Sequence, residues 1–234
     1  MKRIITANYA TYKDPKRLKA LKQSIESIIG QVDLVRVYYN GSIHDRHMFE
    51  GIEQMPKVEF YCGHDITDLG KFFGLTFLKH EYYFTCDDDI LYPGDYVQRT
   101  IHKIDKHNCI ITYNGRALVK SDSYYTGRHH MYSYKRQQTN EVLVDVPGTG
   151  VMAFKTDYFC PVEIFESPHR KMADLVFGLE ARKEKKRIIC VNRSAGWIRG
   201  INLKGIWHEF AEGERRKPET EQVKLMKQIQ NYDK

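Results

Sequence analysis

The sequence predicts an α/β domain, a mostly parallel, Rossmann-like sheet flanked by helices, folded as a single domain with two lobes. Three observations predict it. In the first half, short apolar runs alternate with segments of helical spacing, the β-α-β rhythm that builds parallel sheets. One of those runs, Tyr82 to Cys86, ends abruptly in Asp87, Asp88 and Asp89, followed by the break Pro93-Gly94. The chain has 234 residues, 41% of them apolar and 12% aromatic, which suits one sizeable core and excludes a disordered chain.

The elements follow in order. Ile4-Ile5 begins a short strand that is expected to break into a polar loop from Asn8 to Asp14. Leu18, Leu21, Ile25, Ile28 and Ile29 recur at helical spacing, and Gly30 is the stop. Leu34 to Tyr39 reads as a strand ended by Asn40-Gly41, and Val58 to Tyr61 as another. Leu69 to Leu78 reads as a helix, Tyr82 to Cys86 as a strand, and a helix begins near Pro93. In the second half, strands are expected at Cys109 to Thr112, Arg116 to Val119, Val142 to Val146, Val151 to Phe154 and Ile188 to Val191. Met172, Leu175, Val176 and Leu179 share one helical face, and a charged C-terminal helix packs through Val223, Met226 and Ile229.

The acidic triplet is the most informative feature. Three adjacent carboxylates repel one another, and a hard cation such as Mg²⁺ or Mn²⁺ removes that repulsion. The end of a buried strand is also where open α/β sheets bind ligands. A metal-diphosphate site and a solvated acidic turn before a helix both account for it.

Composition narrows the partners. The net charge is +7 and the pI about 9.0, which favours an anionic partner without naming it. The five cysteines are scattered, with no CxxC pair, so reduced structural thiols and a cytoplasmic location are expected. The N-terminus lacks the pattern of a signal peptide, and no apolar run approaches membrane-spanning length.

The ordered set of segments resembles the GT-A glycosyltransferases, in particular the family 2 type that uses nucleotide-diphosphate sugars. Tyr83-Phe-Thr-Cys-Asp-Asp-Asp-Ile-Leu-Tyr-Pro93 matches the DxD segment of that family. Ser24 to Asp33 with Val37 to Asn40 is similar to its first helix and second strand. Asp68-Leu-Gly-Lys71 resembles the segment that holds base and diphosphate. Gly148-Thr-Gly150 resembles the small-residue segment under the donor sugar, and Met172-Ala-Asp174 the catalytic-base motif, with Ala173 where many relatives carry a second acid. The resemblance implies a nucleotide-sugar-binding lobe over 1–110, an acceptor and catalytic lobe over 111–211 and a C-terminal helix over 212–234. It implies Asp89 and Asp87 as ligands of Mn²⁺ or Mg²⁺, with His208 a further ligand. Asp68, Lys71, Asp87, Asp88, Gly148, Gly150 and Arg193 would hold a donor such as a UDP-sugar. Asp174 would act as general base in an inverting transfer. For Asp68 and Asp174 a capping or helix-dipole role is the alternative, for Lys71 a solvated helix lysine, and for the two glycines an ordinary hairpin.

The stretch from Ser123 to Arg136 mixes tyrosines with basic residues. Basic groups bind phosphates and aromatic rings stack on bases or sugars. Tyr124, Tyr125, Arg128, Tyr132, Lys135 and Arg136 are therefore the acceptor candidates. The acceptor is expected to be a hydroxymethylated base in DNA, flipped out of the helix, with a surface glycan such as lipopolysaccharide as the alternative and a solvated hairpin as a third reading. Two other classes stay open. A nucleotidyltransferase also uses strand-end aspartates and a metal, but usually carries a Gly-rich phosphate loop where this chain has Thr6 to Lys13 without glycine. A nucleic-acid-binding module explains the charge but not the triplet.

Overall fold

The computed structural model describes residues 3–77, 80–203 and 220–232. The strands are β1 (Ile4–Tyr12), β2 (Leu34–Asn40), β3 (Val58–Gly63), β4 (Glu81–Cys86), β5 (Ile90–Leu91), β6 (Ile110–Thr112), β7 (Gly115–Ala117), β8 (His130–Tyr132), β9 (Val142–Leu143), β10 (Val146–Pro147), β11 (Val151–Lys155), β12 (Ile188–Cys190) and β13 (Arg199–Gly200). The helices are α1 (Pro15–Ile28), α2 (Glu50–Glu53), α3 (Tyr96–His107), α4 (Ala173–Lys183) and α5 (Glu221–Asn231). Among the described residues the main sheet has eight strands, in the order β3-β2-β1-β4-β11-β6-β12-β9. The β3-β2-β1-β4 half is parallel, and β11 runs antiparallel between β4 and β6. This confirms the α/β class with a large, mostly parallel sheet.

Side-chain alternation divides the core into two layers, because successive strand residues face opposite sides. Val151 and Ala153 of β11 join α1 and α3 on one face through Leu21, Ile25, Ile28, Val97 and Ile104. Met152 and Phe154 join α4 and α5 on the other face through Phe177, Val223, Met226 and Ile229. That second layer also holds Leu69, Phe72 and Leu75, so the segment before β4 is pinned by buried apolar groups. Each such side chain contributes roughly 1.5–3 kcal/mol.

Several elements differ from expectation, each for a physical reason. Strand β1 does not break at Asn8 but continues to Tyr12. Its polar residues are buried and satisfied: Asn8 donates to Thr6 Oγ1 at 3.0 Å and to the Phe84 carbonyl at 3.1 Å. The helix expected over Leu69 to Leu78 is a 3₁₀ segment, Thr67–Phe77, with Gly70 and Gly74 lowering its α propensity. At Gly74 an added Cβ would lie 2.7 Å from Asn8 Oδ1 and 2.8 Å from Arg36 Nη1. Val142 to Val146 splits into β9 and β10, which belong to different sheets. The five cysteines are unpaired.

Candidate active site

The chain leaves β1 for β2 on one side and returns through β4 on the other. The crevice at the carboxyl ends of β1 and β4 is therefore a topological switch point. The acidic triplet sits there, and its three carboxylates diverge. Asp88 is buried and turns back toward β1 and α1, where Arg17 pairs with it and Thr11 Oγ1 donates to it at 3.1 Å. Burial pushes its carboxyl up to about 6, with Arg17 opposing. Asp87 pairs with Lys71 and keeps its side chain 41% exposed. Asp89 is half-buried, and burial together with the neighbouring Asp87 raises its carboxyl to about 6.

Lys71 is the centre of the arrangement. It is not a solvated helix lysine, being only 4% exposed. Burial alone would lower its ammonium, but Asp87 and Asp68 hold it above its ordinary value. Its backbone carbonyl accepts from the Tyr83 hydroxyl at 2.8 Å, which fastens the 3₁₀ segment to β4. Its ammonium also lies 3.5 Å from Thr149 Oγ1.

The other acidic candidates act as fasteners. Asp68 accepts from the Ala173 amide at 3.0 Å, so it caps α4 across space instead of its own segment. Asp174, in the first turn of α4, accepts from Thr149 N at 2.8 Å and Thr149 Oγ1 at 2.7 Å. Burial pushes both carboxyls upward, and Lys71 opposes the shift in each. Together they tie the 3₁₀ segment, the 148–150 turn and α4 into one wall.

The two glycines of that turn are needed for space. A Cβ on Gly150 would overlap the carboxyl group of Asp87, and one on Gly148 would overlap Asn114. Tyr92 completes the support: its hydroxyl accepts from the Asp87 amide at 3.0 Å and donates to the Gly150 carbonyl at 2.7 Å. Ser24 on α1 donates to the Asp87 carbonyl at 3.2 Å. Thr11, Arg17, Ser24 and Tyr92 are absent from the sequence-derived candidates. Only Tyr92 carried a signal, its place five residues past the first aspartate.

Other expected positions fall elsewhere. Arg193 does not face the crevice. It is 3% exposed and donates to the Val191 carbonyl at 2.9 Å and the Ser133 carbonyl at 2.5 Å. It thereby anchors the segment that carries Tyr134, whose hydroxyl is raised to about 12 by burial and then by Asp89 and Asp87. His208 lies outside the described residues.

The aromatic and basic stretch does not form a stacking platform, because its rings and charges point different ways. Tyr124 is buried, and the Arg116 guanidinium stands 4.1 Å from its ring centre. Tyr125 and Tyr132 pack on the same core layer, while Arg128, Lys135 and Arg136 are exposed.

Could a cation sit here? Among the described residues, no group of three or more His, Cys, Asp or Glu is arranged to hold a metal ion. Asp88 is buried and engaged by Arg17, which leaves Asp89 and the partly exposed Asp87, itself paired with Lys71. That donor set fits a Mg²⁺ or Mn²⁺ ion shared with substrate phosphates, the usual coordination of Mg²⁺ in phosphoryl sites.

No protein-family model matches the sequence, and no curated protein matches it. A solved structure does resemble the fold, the 4-diphosphocytidyl-2C-methyl-D-erythritol synthase from Anaerococcus prevotii DSM 20548. The TM-score is 0.54 over 92% of this chain and 97% of that one, at 14% identity. At that identity the likeness is one of fold, a GT-A-like Rossmann architecture. That neighbour is a nucleotidyltransferase, and no family match supports sugar transfer. The expectation of an inverting glycosyltransferase acting on hydroxymethylated DNA or a surface glycan is overturned by this finding, which matches the nucleotidyltransferase alternative instead. Among the described residues no helix is long and apolar enough to cross a membrane.

Proposed function

We propose that the protein is a nucleotide-dependent transferase of the nucleotidyl-transfer type. The observation that carries this reading is Lys71, a buried ammonium held among Asp87, Asp68 and Asp174 at the switch-point crevice. A point charge of that kind suits phosphate oxygens. The neighbour of the same fold, named as a diphosphocytidyl synthase, supports the same class of chemistry.

In this reading a nucleoside triphosphate lies across the ends of β1 and β4. Asp89 and Asp87 would hold Mg²⁺ or Mn²⁺, which supplies charge neutralisation at the phosphates. Lys71 would offer its ammonium to a phosphate oxygen. An acceptor oxygen, either a phosphate oxyanion or a hydroxyl that gives its proton to solvent, attacks the α-phosphorus, the bond from that phosphorus to the bridging oxygen breaks, and pyrophosphate leaves with the bonding pair. Asp174 and Asp68 act as positioning residues that keep the 148–150 turn and α4 in place. The amino end of α1 is not the phosphate cradle, because the Asp14 carboxylate already accepts from Lys16 N at 2.8 Å and Arg17 N at 3.0 Å. The wall built around Lys71 stands in place of a Gly-rich loop.

The test is a panel of nucleoside triphosphates, CTP first, scored by thermal shift with Mg²⁺ and by pyrophosphate release against phosphorylated and hydroxyl acceptors. A stabilising nucleotide that yields pyrophosphate is expected. Lys71→Met should weaken its binding roughly 10- to 100-fold, the loss of one charge-assisted hydrogen bond of about 1.5–3 kcal/mol. Release of a nucleoside diphosphate from a nucleotide sugar, with no response to any triphosphate, would overturn the reading.

The pH dependence follows from Asp89. Its folded carboxyl is raised to about 6 from an ordinary value of 3.8, so the folded state binds this proton more readily than the unfolded chain does. The metal-free protein therefore gains stability from this group as pH falls from about 6 toward 4, and lacks that contribution above 6. Asp89→Asn should raise the Tm of metal-free protein at pH 7. Stabilisation by Mn²⁺, which competes with the proton, should fade below pH 6. A scanning-fluorimetry series with and without Mn²⁺ checks both signs.

A further inference from the structure

A second basic feature lies at the far end of α4, about 14 Å along the helix from Asp174. A cavity of about 480 Å³ opens there, walled by Leu143 and Asp145 on one side and by Arg182, Lys185, Lys186 and Arg187 on the other. That volume falls in the range of small-molecule sites. Four basic residues and one acidic residue line it, and the carboxylate is engaged. Asp145 Oδ2 accepts from the Leu118 amide at 2.7 Å, and Oδ1 lies 3.9 Å from Arg182 Nη1.

Two of the basic side chains are held in place. The Arg187 guanidinium donates to the His107 carbonyl at 3.1 Å, and its amide donates to the Tyr158 hydroxyl at 3.3 Å. The Lys186 ammonium stands 4.8 Å from the centre of the Tyr158 ring. The helix end is closed by a Schellman arrangement, with Lys186 N donating to the Ala181 carbonyl at 2.8 Å and Lys185 N to the Arg182 carbonyl at 3.0 Å. These bonds satisfy two of the terminal carbonyls of the helix.

The position of Lys185 is the independent observation. It occupies the left-handed site of that cap, with φ +53°. Glycine fills this site without strain, and it is the common choice there. A lysine places a cation at the cavity in a conformation that side chains disfavour, and such strain points toward function.

We propose that this cavity is a second anion site, remote from the strand-end crevice, that takes phosphate groups carried by a nucleotide or by a nucleic-acid backbone. The net charge of +7 agrees with such a partner. The site needs no assumption about the reaction at β1 and β4.

The test uses the full chain and two probes, inorganic pyrophosphate by calorimetry and a single-stranded 12-nucleotide DNA by fluorescence anisotropy, between 50 and 200 mM salt. The variants are Lys185→Gly and Lys185→Gly/Lys186→Gln. Lys185→Gly relieves the cap, so it should raise Tm while weakening the probe at least threefold. A merely structural role would not separate those two readouts. For the DNA probe, the double variant should flatten the log–log salt slope by roughly 1.4, about 0.7 for each phosphate no longer neutralised. Pyrophosphate also suits the strand-end crevice, so its titration is repeated with Lys71→Met. The remote binding event should persist there and vanish when the double substitution is added. Weakening of DNA alone assigns a nucleic-acid source, weakening of pyrophosphate alone a small phosphorylated ligand, and either supports the site. Wild-type affinity for both probes with an unchanged salt slope overturns it.

Discussion

Gly150→Ala should lower nucleotide turnover by two or more orders of magnitude while the protein still folds. The added Cβ would overlap the Asp87 carboxyl group, so either the backbone or the carboxylate must move. The backbone is held on both sides. The Gly150 carbonyl accepts from the Tyr92 hydroxyl at 2.7 Å, and Val151 N donates to the Gly148 carbonyl at 3.1 Å. Asp87 therefore swings out, its ion pair with Lys71 breaks, and the donor set for a cation is disarranged. A hundredfold loss corresponds to about 2.7 kcal/mol of transition-state stabilisation. Gly51→Ala serves as the control, because a Cβ there meets nothing within 4 Å. Steady-state turnover and Tm measured side by side decide the matter. Normal activity in Gly150→Ala would show that the Asp87–Lys71 pair is dispensable.

The second large effect is on stability. Arg36 and Glu81 form a buried ion pair with two hydrogen bonds, 2.8 Å to Oε1 and 3.0 Å to Oε2, and their side chains are only 3% and 1% exposed. Thr6 Oγ1 adds a third bond to Glu81 at 2.9 Å. Arg36→Leu strands the Glu81 carboxylate, and breaking such a pair costs about 3–5 kcal/mol. For a chain of this size that is a fall of roughly 6–20 °C in Tm. Arg36→Leu/Glu81→Leu should recover most of the loss, since the desolvated charge is gone. Urea titrations of the single and double variants test this, and a single variant as stable as the wild type would refute it. The consequence reaches the crevice, because Gly74 in the Lys71-bearing segment packs directly on Arg36 and Asn8.

Neither partner of this pair stood out in the sequence. Arg36 lies inside an apolar strand run, and Glu81 just before another. Their union depends on β1, β2 and β4 being neighbours, with Asn8 opposite Arg36 and Ile4 opposite Glu81. Asp88 teaches the same lesson. Adjacent in sequence to Asp87 and Asp89, it alternates to the other side of the chain and meets Arg17, 71 residues away. The tyrosine-rich stretch shows a related point: composition reports which groups are present, and only packing decides that Tyr124 is buried while Arg128 and Lys135 are exposed.

By itself the sequence determined the α/β class, most strand cores, the register of the helical faces and the place of the acidic triplet. Those features are local: periodicity of two or 3.6, and a strand that ends in charge. Tertiary structure alone decided that β1 extends to Tyr12, that Asp68 caps a helix more than one hundred residues away, that Asp174 braces Thr149, and that Lys71 is buried among carboxylates. It also decided that a lysine closes α4 at the edge of a basic cavity. The physical reason is that a polar side chain in a folded protein is defined by the partner that compensates its lost hydration. Here those partners come from distant strands and turns that only the sheet order brings together.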